Sequence, residues 1–244
     1  MEEKKLKICF IKKSYDNQID EQKLLEKKGK LFKSNKRSIA LQNALDQNYQ
    51  IAVFDDGLQD FTMDYDLKFL CFNSINWIGN GNTIPSGPLR ESLYKIKKYN
   101  NIFINGNLEN LESIKEKISE INPTANIYFG KYIPQNIDKF DKRQNYLVFS
   151  GIGNHKTFVS MLKIHNFNIV KDIEFPDHYN YSKKDINKII SISKNYNCKI
   201  LTTEKDFFRS KNYMSDKIEF ISSRLEVLNE EKLFKALSKI YEQN

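Results

Sequence analysis

Ile51-Ala52-Val53-Phe54-Asp55-Asp56-Gly57-Leu58-Gln59-Asp60 is the stretch that decides how this chain is read. Its first four residues form an apolar run with the length and composition of a buried strand. The carboxylates follow at once, so they stand at the strand's C-terminal end. Open α/β sheets gather their ligands there, outside the carboxyl edge of the strands. Two adjacent carboxylates beside apolar residues are costly unless a cation or a polar network compensates them. Mg²⁺ with phosphates attached suits that need, because it takes oxygen ligands and keeps several waters. A solvated Asp-Gly turn with no chemistry is the competing reading of the same residues.

Composition sets the frame around this turn. The chain has 244 residues, 40% of them apolar and 13% aromatic, enough for a substantial core and unlike a disordered segment. A net charge of +8 favours anionic partners, although lysine on solvated helix faces explains most of it. No finger spacing, ribonucleoprotein aromatic pair or continuous arginine patch is present, so nucleic acid is not expected as a partner. Cys9, Cys71 and Cys198 are far apart and odd in number, which fits a reducing compartment better than a disulfide framework. No apolar stretch approaches the roughly 20 residues that span a bilayer. The expected location is cytoplasmic, with peripheral membrane contact left open.

Outward from the acidic turn, strand and helix patterns alternate. Strands are expected at 6–11, 51–54, 67–72, 101–104, 127–129, 146–149, 168–170, 199–201 and 218–221. Helices are expected at 19–30, 38–48, 90–98, 108–118, 156–165, 182–196 and 231–241, with Ser182 as a cap. The apolar run at 67–72 predicts burial on both faces. This alternation predicts parallel α/β layers. The polar segment from Lys131 to Gln144 contains Pro134 and suggests a boundary between residues 1–141 and residues 142–244.

Four further segments carry candidate chemistry. Gly79 to Glu91 is dense in glycine, asparagine and proline, which specifies one convoluted path. Gly151-Ile152-Gly153-Asn154 before a helix resembles a small anion nest. In Phe175-Pro176-Asp177-His178-Tyr179, His178 is suited to taking a proton if Asp20 or Asp177 fixes its tautomer; packing against the neighbouring aromatics is the other reading. In Thr202-Thr203-Glu204-Lys205-Asp206, Lys205 is placed to meet a phosphate with Glu204 bracing it, or the group closes a turn by local hydrogen bonds. His155 is a possible cleft residue and His165 a structural one. The three histidines show no zinc-ligand spacing, and no GxxxxGK[ST] loop occurs.

Taken as a set and in this order, Asp55-Asp56-Gly57-Leu58-Gln59, Gly79-Asn80-Gly81-Asn82, Pro85-Ser86-Gly87-Pro88-Leu89-Arg90-Glu91, Gly151-Ile152-Gly153-Asn154, Phe175-Pro176-Asp177-His178 and Thr203-Glu204-Lys205-Asp206 resemble the tetraacyldisaccharide 4'-kinase family. The resemblance implies a P-loop NTPase-like parallel α/β core with a smaller C-terminal α/β lobe. It implies transfer of the ATP γ-phosphate to the 4'-hydroxyl of a tetraacylated glucosamine disaccharide 1-phosphate, a step of lipid A biosynthesis. ATP and Mg²⁺ are the implied cofactors. The implied location is peripheral, at the cytoplasmic face of the inner membrane, against an anionic surface and without an obligate protein partner. By the same resemblance Asp55 and Asp56 handle Mg²⁺ and substrate, and Asp55, Asp56 and Lys205 are expected at the ATP cofactor. Asp56 and His178 are catalytic, with Asp20 of Asp20-Glu21 as partner of His178. Asn82, Arg90 and Glu91 bind substrate. Two departures are visible: Ile19 stands where the family has glycine, and Ser86 where alanine is usual.

The family's Walker A loop and the apolar segment before it have no counterpart among these residues. The expectation is a chain that begins near the family's second strand, from a start that lies upstream or in a shortened paralogue. Without the phosphate cradle the transition state loses electrostatic stabilisation, so weak transfer is expected of this polypeptide. The alternative function is a catalytically weak or inactive glycolipid-binding relative.

Overall fold

The computed structural model describes residues 6–14, 19–107, 110–213 and 216–242, with the side chains at 19–21, 23 and 240–242 outside the described set. The chain divides into two compact units, Met1–Tyr65 and Asp66–Asn244.

In the first unit the order is β1 (Ile8–Lys13), α1 (Ile19–Lys28), β2 (Lys30–Ser34), α2 (Arg37–Asp46) and β3 (Ile51–Phe54). The three strands form a parallel sheet in the order β2-β1-β3. β1 is central, and its Cys9 and Ile11 are fully buried with Phe32, Ala40 and Ala44. The alanines let α2 approach the sheet closely. Two findings differ from the sequence pattern. Lys30–Ser34 continues a charged helical run in sequence yet forms β2, because Phe32 supplies the one buried anchor that the strand needs. β3 is half-buried rather than buried, with Val53 45% exposed, since it is an edge strand of its three-stranded sheet.

In the second unit, β4 (Phe69–Asn73), β5 (Asn101–Gly106), α3 (Leu111–Ile121) and β6 (Asn126–Pro134) come first. They are followed by β7 (Asn145–Ser150), α4 (His155–Ile164), β8 (Asn168–Glu174), α5 (Lys183–Asn195) and β9 (Lys199–Thr203). α6 (Glu204–Arg209), β10 (Ile218–Ile221), β11 (Ser223–Leu228) and α7 (Glu230–Glu242) complete it. Two four-stranded sheets result, β10-β9-β7-β8 and β11-β6-β5-β4. Of the polar segment from Lys131 to Gln144, Lys131–Pro134 belong to β6, and residues 135–144 lead from that sheet to β7. β11 then returns to pair antiparallel with β6, with Val227 opposite Gly130.

β7 shows why the C-terminal half folds as it does. Its side chains alternate between two cores, Tyr146 and Val148 on one face and Leu147 and Phe149 on the other, all fully buried. α4 covers the first face with Phe158, Val159, Met161 and Leu162, and α5 covers the second with Ile186 and Ile189. A strand covered on both faces reads as a continuous apolar run, which is how Tyr146-Leu147-Val148-Phe149 appears in the sequence. The other sheet packs Ile102 and Ile104 of β5 against Ile114, Ile118 and Ile121 of α3. β4 is the edge strand there, so its central Cys71 is exposed rather than buried. A polar seam ties this sheet to α4. The Asn73 amide donates to Asn105 (3.1 Å) and Thr157 (2.9 Å), and the Asn107 amide donates to Ser160 (2.9 Å).

Ser182 caps α5 as expected, within a full capping box. Its hydroxyl accepts from the Asp185 amide (3.2 Å), and the Asp185 carboxylate accepts from the Ser182 amide (2.9 Å). The Ser182 hydroxyl also donates to Asp185 (2.6 Å), and this contact holds the Asp185 carboxyl below its ordinary value. Ser182→Ala is expected to cost about 1 kcal/mol in urea denaturation. A depressed carboxyl contributes stability above its unfolded value, near 3.9, and loses it as pH falls through the folded one. Asp185→Asn should therefore flatten the fall of stability on acidification below about pH 4, and a wild-type acid limb left unchanged would contradict this.

Candidate active site

The acidic turn is built by buried cations beneath it. β1 runs two residues past Ile11, which carries Lys12 into the interior at 4% exposure, and its ammonium pairs with the Asp55 carboxylate. The Asp55 amide donates to the Ile11 carbonyl (3.0 Å), so the turn starts in register with β1. Arg37, the first residue of α2, is 7% exposed and donates from Nη2 to the carbonyls of Asp55 (3.2 Å) and Asp56 (2.8 Å). Its Nη1 lies 3.4 Å from Asp60. The Thr62 hydroxyl donates to the same Asp60 carboxylate (2.5 Å), and this bond, with help from Arg37, holds Asp60 below the usual carboxylate range.

Backbone shape completes the turn. Asp56 adopts a left-handed conformation with φ 52°, which aspartate tolerates better than most residues. Its side chain is exposed. Gly57 is buried, and a Cβ there would stand 2.9 Å from the Tyr65 hydroxyl and 3.2 Å from Phe54 Cβ. That hydroxyl donates to the Gly57 carbonyl (3.0 Å), so the glycine is needed for the close approach. The donors presented are carboxylate oxygens, one partly neutralised from below and one facing solvent. Such a pair fits a hard cation that fills its other positions with water and phosphate oxygens. No group of three or more His, Cys, Asp or Glu side chains stands ready to hold a metal among the described residues. Asp20 lies in the first turn of α1, and its side chain is outside the described residues.

The remaining sequence candidates lie in the second unit. The glycine-rich loop is closed on itself. The Asn80 amide donates to the Ser86 carbonyl (2.7 Å), the Leu89 amide to Asn82 (3.1 Å) and the Ile84 amide to Leu89 (2.9 Å). Gly79 and Gly81 take positive φ and Ile84-Pro85 is cis. Asn82 and Arg90 are exposed and Glu91 is half-buried. Residues 90–92 are irregular, and the expected helix is a 3-10 turn from Leu93 to Lys98. Pro88 and the loop's internal bonds fix the backbone too late for an α-helix to start at Arg90.

His178 is held in a second, tighter assembly. Its backbone is left-handed (φ 57°), a strain of about 1–2 kcal/mol for such a residue. Its amide donates to the Gly151 carbonyl (3.0 Å), and the Asp177 carboxylate lies 3.9 Å from its Nε2. Gly151 is buried; a Cβ there would sit 3.0 Å from Tyr179 Cβ and 3.1 Å from the Pro176 carbonyl, which explains the glycine. The Gly151 carbonyl also accepts from Arg209 (2.8 Å), and Arg209 pairs with Asp206 (3.2 Å), which is fully buried. Lys205 is half-buried in the first turn of α6 beside it.

His155 closes a further array. Its Nδ1 is 2.7 Å from the Ser150 hydroxyl and its Nε2 is 3.4 Å from Asp172. The residue types match a nucleophilic triad, but Ser150 is 0% exposed, so no substrate reaches its hydroxyl. The array joins the start of α4 to β7 and β8. Sequence reasoning gave no role to Lys12, Arg37 or Arg209, and read Asp206 only as part of the Thr203-Glu204-Lys205-Asp206 segment. The one available signal was a lysine directly after an apolar strand.

Comparison with known proteins gives the family. The family model described as Tetraacyldisaccharide-1-P 4'-kinase (LpxK) matches residues 6–242. The tetraacyldisaccharide 4'-kinase of Pelagibacter ubique is 55% identical over 244 residues, covering 100% of this chain and 78% of that protein. That of Rickettsia akari is 34% identical over 88% of this chain and 66% of its own length. Among solved structures, LpxK from Aquifex aeolicus in complex with ATP superposes with a TM-score of 0.60 at 20% identity, covering 96% of this chain and 79% of that one. The fold is accordingly α/β and P-loop NTPase-like. With its motifs, its fold and a relative matched along the whole of this chain in agreement, the chain belongs to the tetraacyldisaccharide-1-P 4'-kinase family, and it is a phosphotransferase by that membership.

Proposed function

We propose that the protein transfers the γ-phosphoryl group of ATP to the 4'-hydroxyl of a tetraacylated disaccharide 1-phosphate, with Mg²⁺ held at Asp55 and Asp56. The observation that carries this reading is the acidic pair at the C-terminal end of β3, set on the buried Lys12 and Arg37. The printed names of the relatives and the ATP complex of the Aquifex aeolicus neighbour support it. The glycolipid-binding alternative without transfer is not favoured, because the relatives compared are named as kinases.

Bound there, Mg²⁺ would neutralise charge on the phosphoryl oxygens. The chain's own groups do the rest. Lys12 orients Asp55 by its ion pair, and the exposed Asp56 meets the ion or the reacting oxygens. His178 takes or orients the proton of the sugar hydroxyl, with Asp177 beside it. Asn82, Arg90 and Glu91 serve the acceptor and Lys205 the phosphates. The +8 net charge favours an anionic membrane surface and the substrate's 1-phosphate, and the proposed working place is the cytoplasmic face of the inner membrane. No helix among the described residues is long and apolar enough to cross a membrane.

Transfer of labelled phosphate from ATP to the disaccharide by the full-length enzyme tests the reading. Asp56→Asn is expected to lower kcat roughly 100- to 1,000-fold and His178→Ala roughly 100-fold or more, both with folded protein. A wild-type enzyme that binds the disaccharide without phosphorylating it would refute the assignment. Chelation of divalent ions should abolish transfer and added Mg²⁺ should restore it; transfer that persists in excess chelator would remove the metal from the account.

A further inference from the structure

We propose that Asp206 is a positioning residue for His178, acting through Arg209 and the Gly151 carbonyl on one side and through Tyr181 on the other. The inference rests on the reading that His178 handles the proton of the acceptor hydroxyl.

A fully buried carboxylate is kept in a protein only when donors surround it. Asp206 has three. Tyr181 donates its hydroxyl to Oδ1 (3.0 Å), Thr203 donates to Oδ2 (2.6 Å) and Arg209 Nη1 lies 3.2 Å from Oδ1. Burial and the neighbouring carboxylate push the Tyr181 phenol far up, so it stays a donor. α6 is six residues long and begins directly at the end of β9, where Thr203 accepts from the Asp206 amide (3.1 Å).

What the carboxylate does is orient two neighbours toward the His178 loop. The same Arg209 nitrogen that pairs with Asp206 donates to the Gly151 carbonyl (2.8 Å). That one oxygen also accepts the His178 amide (3.0 Å). The carbonyl therefore fixes the left-handed backbone of His178, and Arg209 fixes the carbonyl. On the other side, the Tyr181 ring packs edge-on against Phe175 (5.1 Å) and Tyr179 (5.3 Å), the residues that bracket His178 in sequence. A shift at Asp206 thus reaches His178 by both routes.

The test measures transfer by the full-length enzyme carrying Asp206→Asn, and separately Tyr181→Phe, each checked by its thermal midpoint. Asparagine keeps the shape and removes the charge that holds Arg209, while phenylalanine keeps the ring and removes one donor without stranding a charge. The expected result for Asp206→Asn is a kcat lower by roughly 10- to 100-fold, with KM for ATP and disaccharide within about twofold. Tyr181→Phe should lower kcat by a smaller factor in the same pattern. In a His178→Ala background both substitutions should leave the residual rate nearly unchanged, an outcome that general destabilisation would not give. Unchanged kcat in folded Asp206→Asn and Tyr181→Phe, or equal losses with and without His178, would overturn the inference alone. A wild-type enzyme that transfers phosphate while His178→Ala keeps full kcat would overturn the reading of His178, and the inference with it.

Discussion

The ion pair between Lys12 and Asp55 is the constraint on which the acidic turn depends. A lysine at 4% exposure is tolerable only with an opposite charge at hand, and Asp55 supplies it from the end of the neighbouring strand. Removing the Asp55 carboxylate would strand the buried ammonium, a change of up to about 3–5 kcal/mol, whereas Asp55 is 42% exposed and loses less when Lys12 is removed. Arg37 adds the second support by binding backbone carbonyls rather than carboxylates at Asp55 and Asp56. The turn's shape is therefore set from below, and its upper side stays open to solvent at Asp56. The proposed Mg²⁺ site uses that asymmetry: buried positive charge holds the two acids together, and the Asp56 side chain faces solvent.

The second unit solves a similar problem with the opposite sign. There a buried acid, Asp206, accepts from a phenol and from a cation that itself donates to the Gly151 carbonyl. The left-handed conformation of His178 is a standing strain, and it persists because the Gly151 carbonyl, the aromatic cluster and the Asp177 carboxylate over-determine it. Strain of this kind gathers where side chains must be aimed. Both assemblies place the chemistry on short turns after strands, and in both a glycine admits a neighbour that a side chain would exclude.

Much of this was legible in the sequence, for identifiable reasons. β7 was readable because both of its faces are buried, and α5 because its cap and its apolar stripe agree. The acidic turn and the FPDH loop were readable as motifs. What escaped was set by distant partners. β2 carries one buried side chain, too few to show a period of two. β11 pairs with β6 across some ninety residues of chain, and nothing local announces an antiparallel strand. α6 is too short for a helical period, so its local hydrogen bonds read as a turn. The apolar pattern ends the first strand at Ile11, whereas the strand continues to Lys13 because Asp55 makes the interior habitable for the Lys12 ammonium. Arg37 likewise reads as a solvated helix start, and only the fold shows the carbonyls it serves.

The most direct measurement is anomalous diffraction from crystals of the full-length enzyme grown with Mn²⁺ and a non-hydrolysable ATP analogue. The account predicts a manganese peak within about 2.2 Å of a carboxylate oxygen of Asp55 or Asp56, or one water removed from it, with the analogue's phosphates completing the coordination. A nucleotide-bound manganese remote from both aspartates, with the Lys12–Asp55 pair and the turn undisturbed, would contradict it.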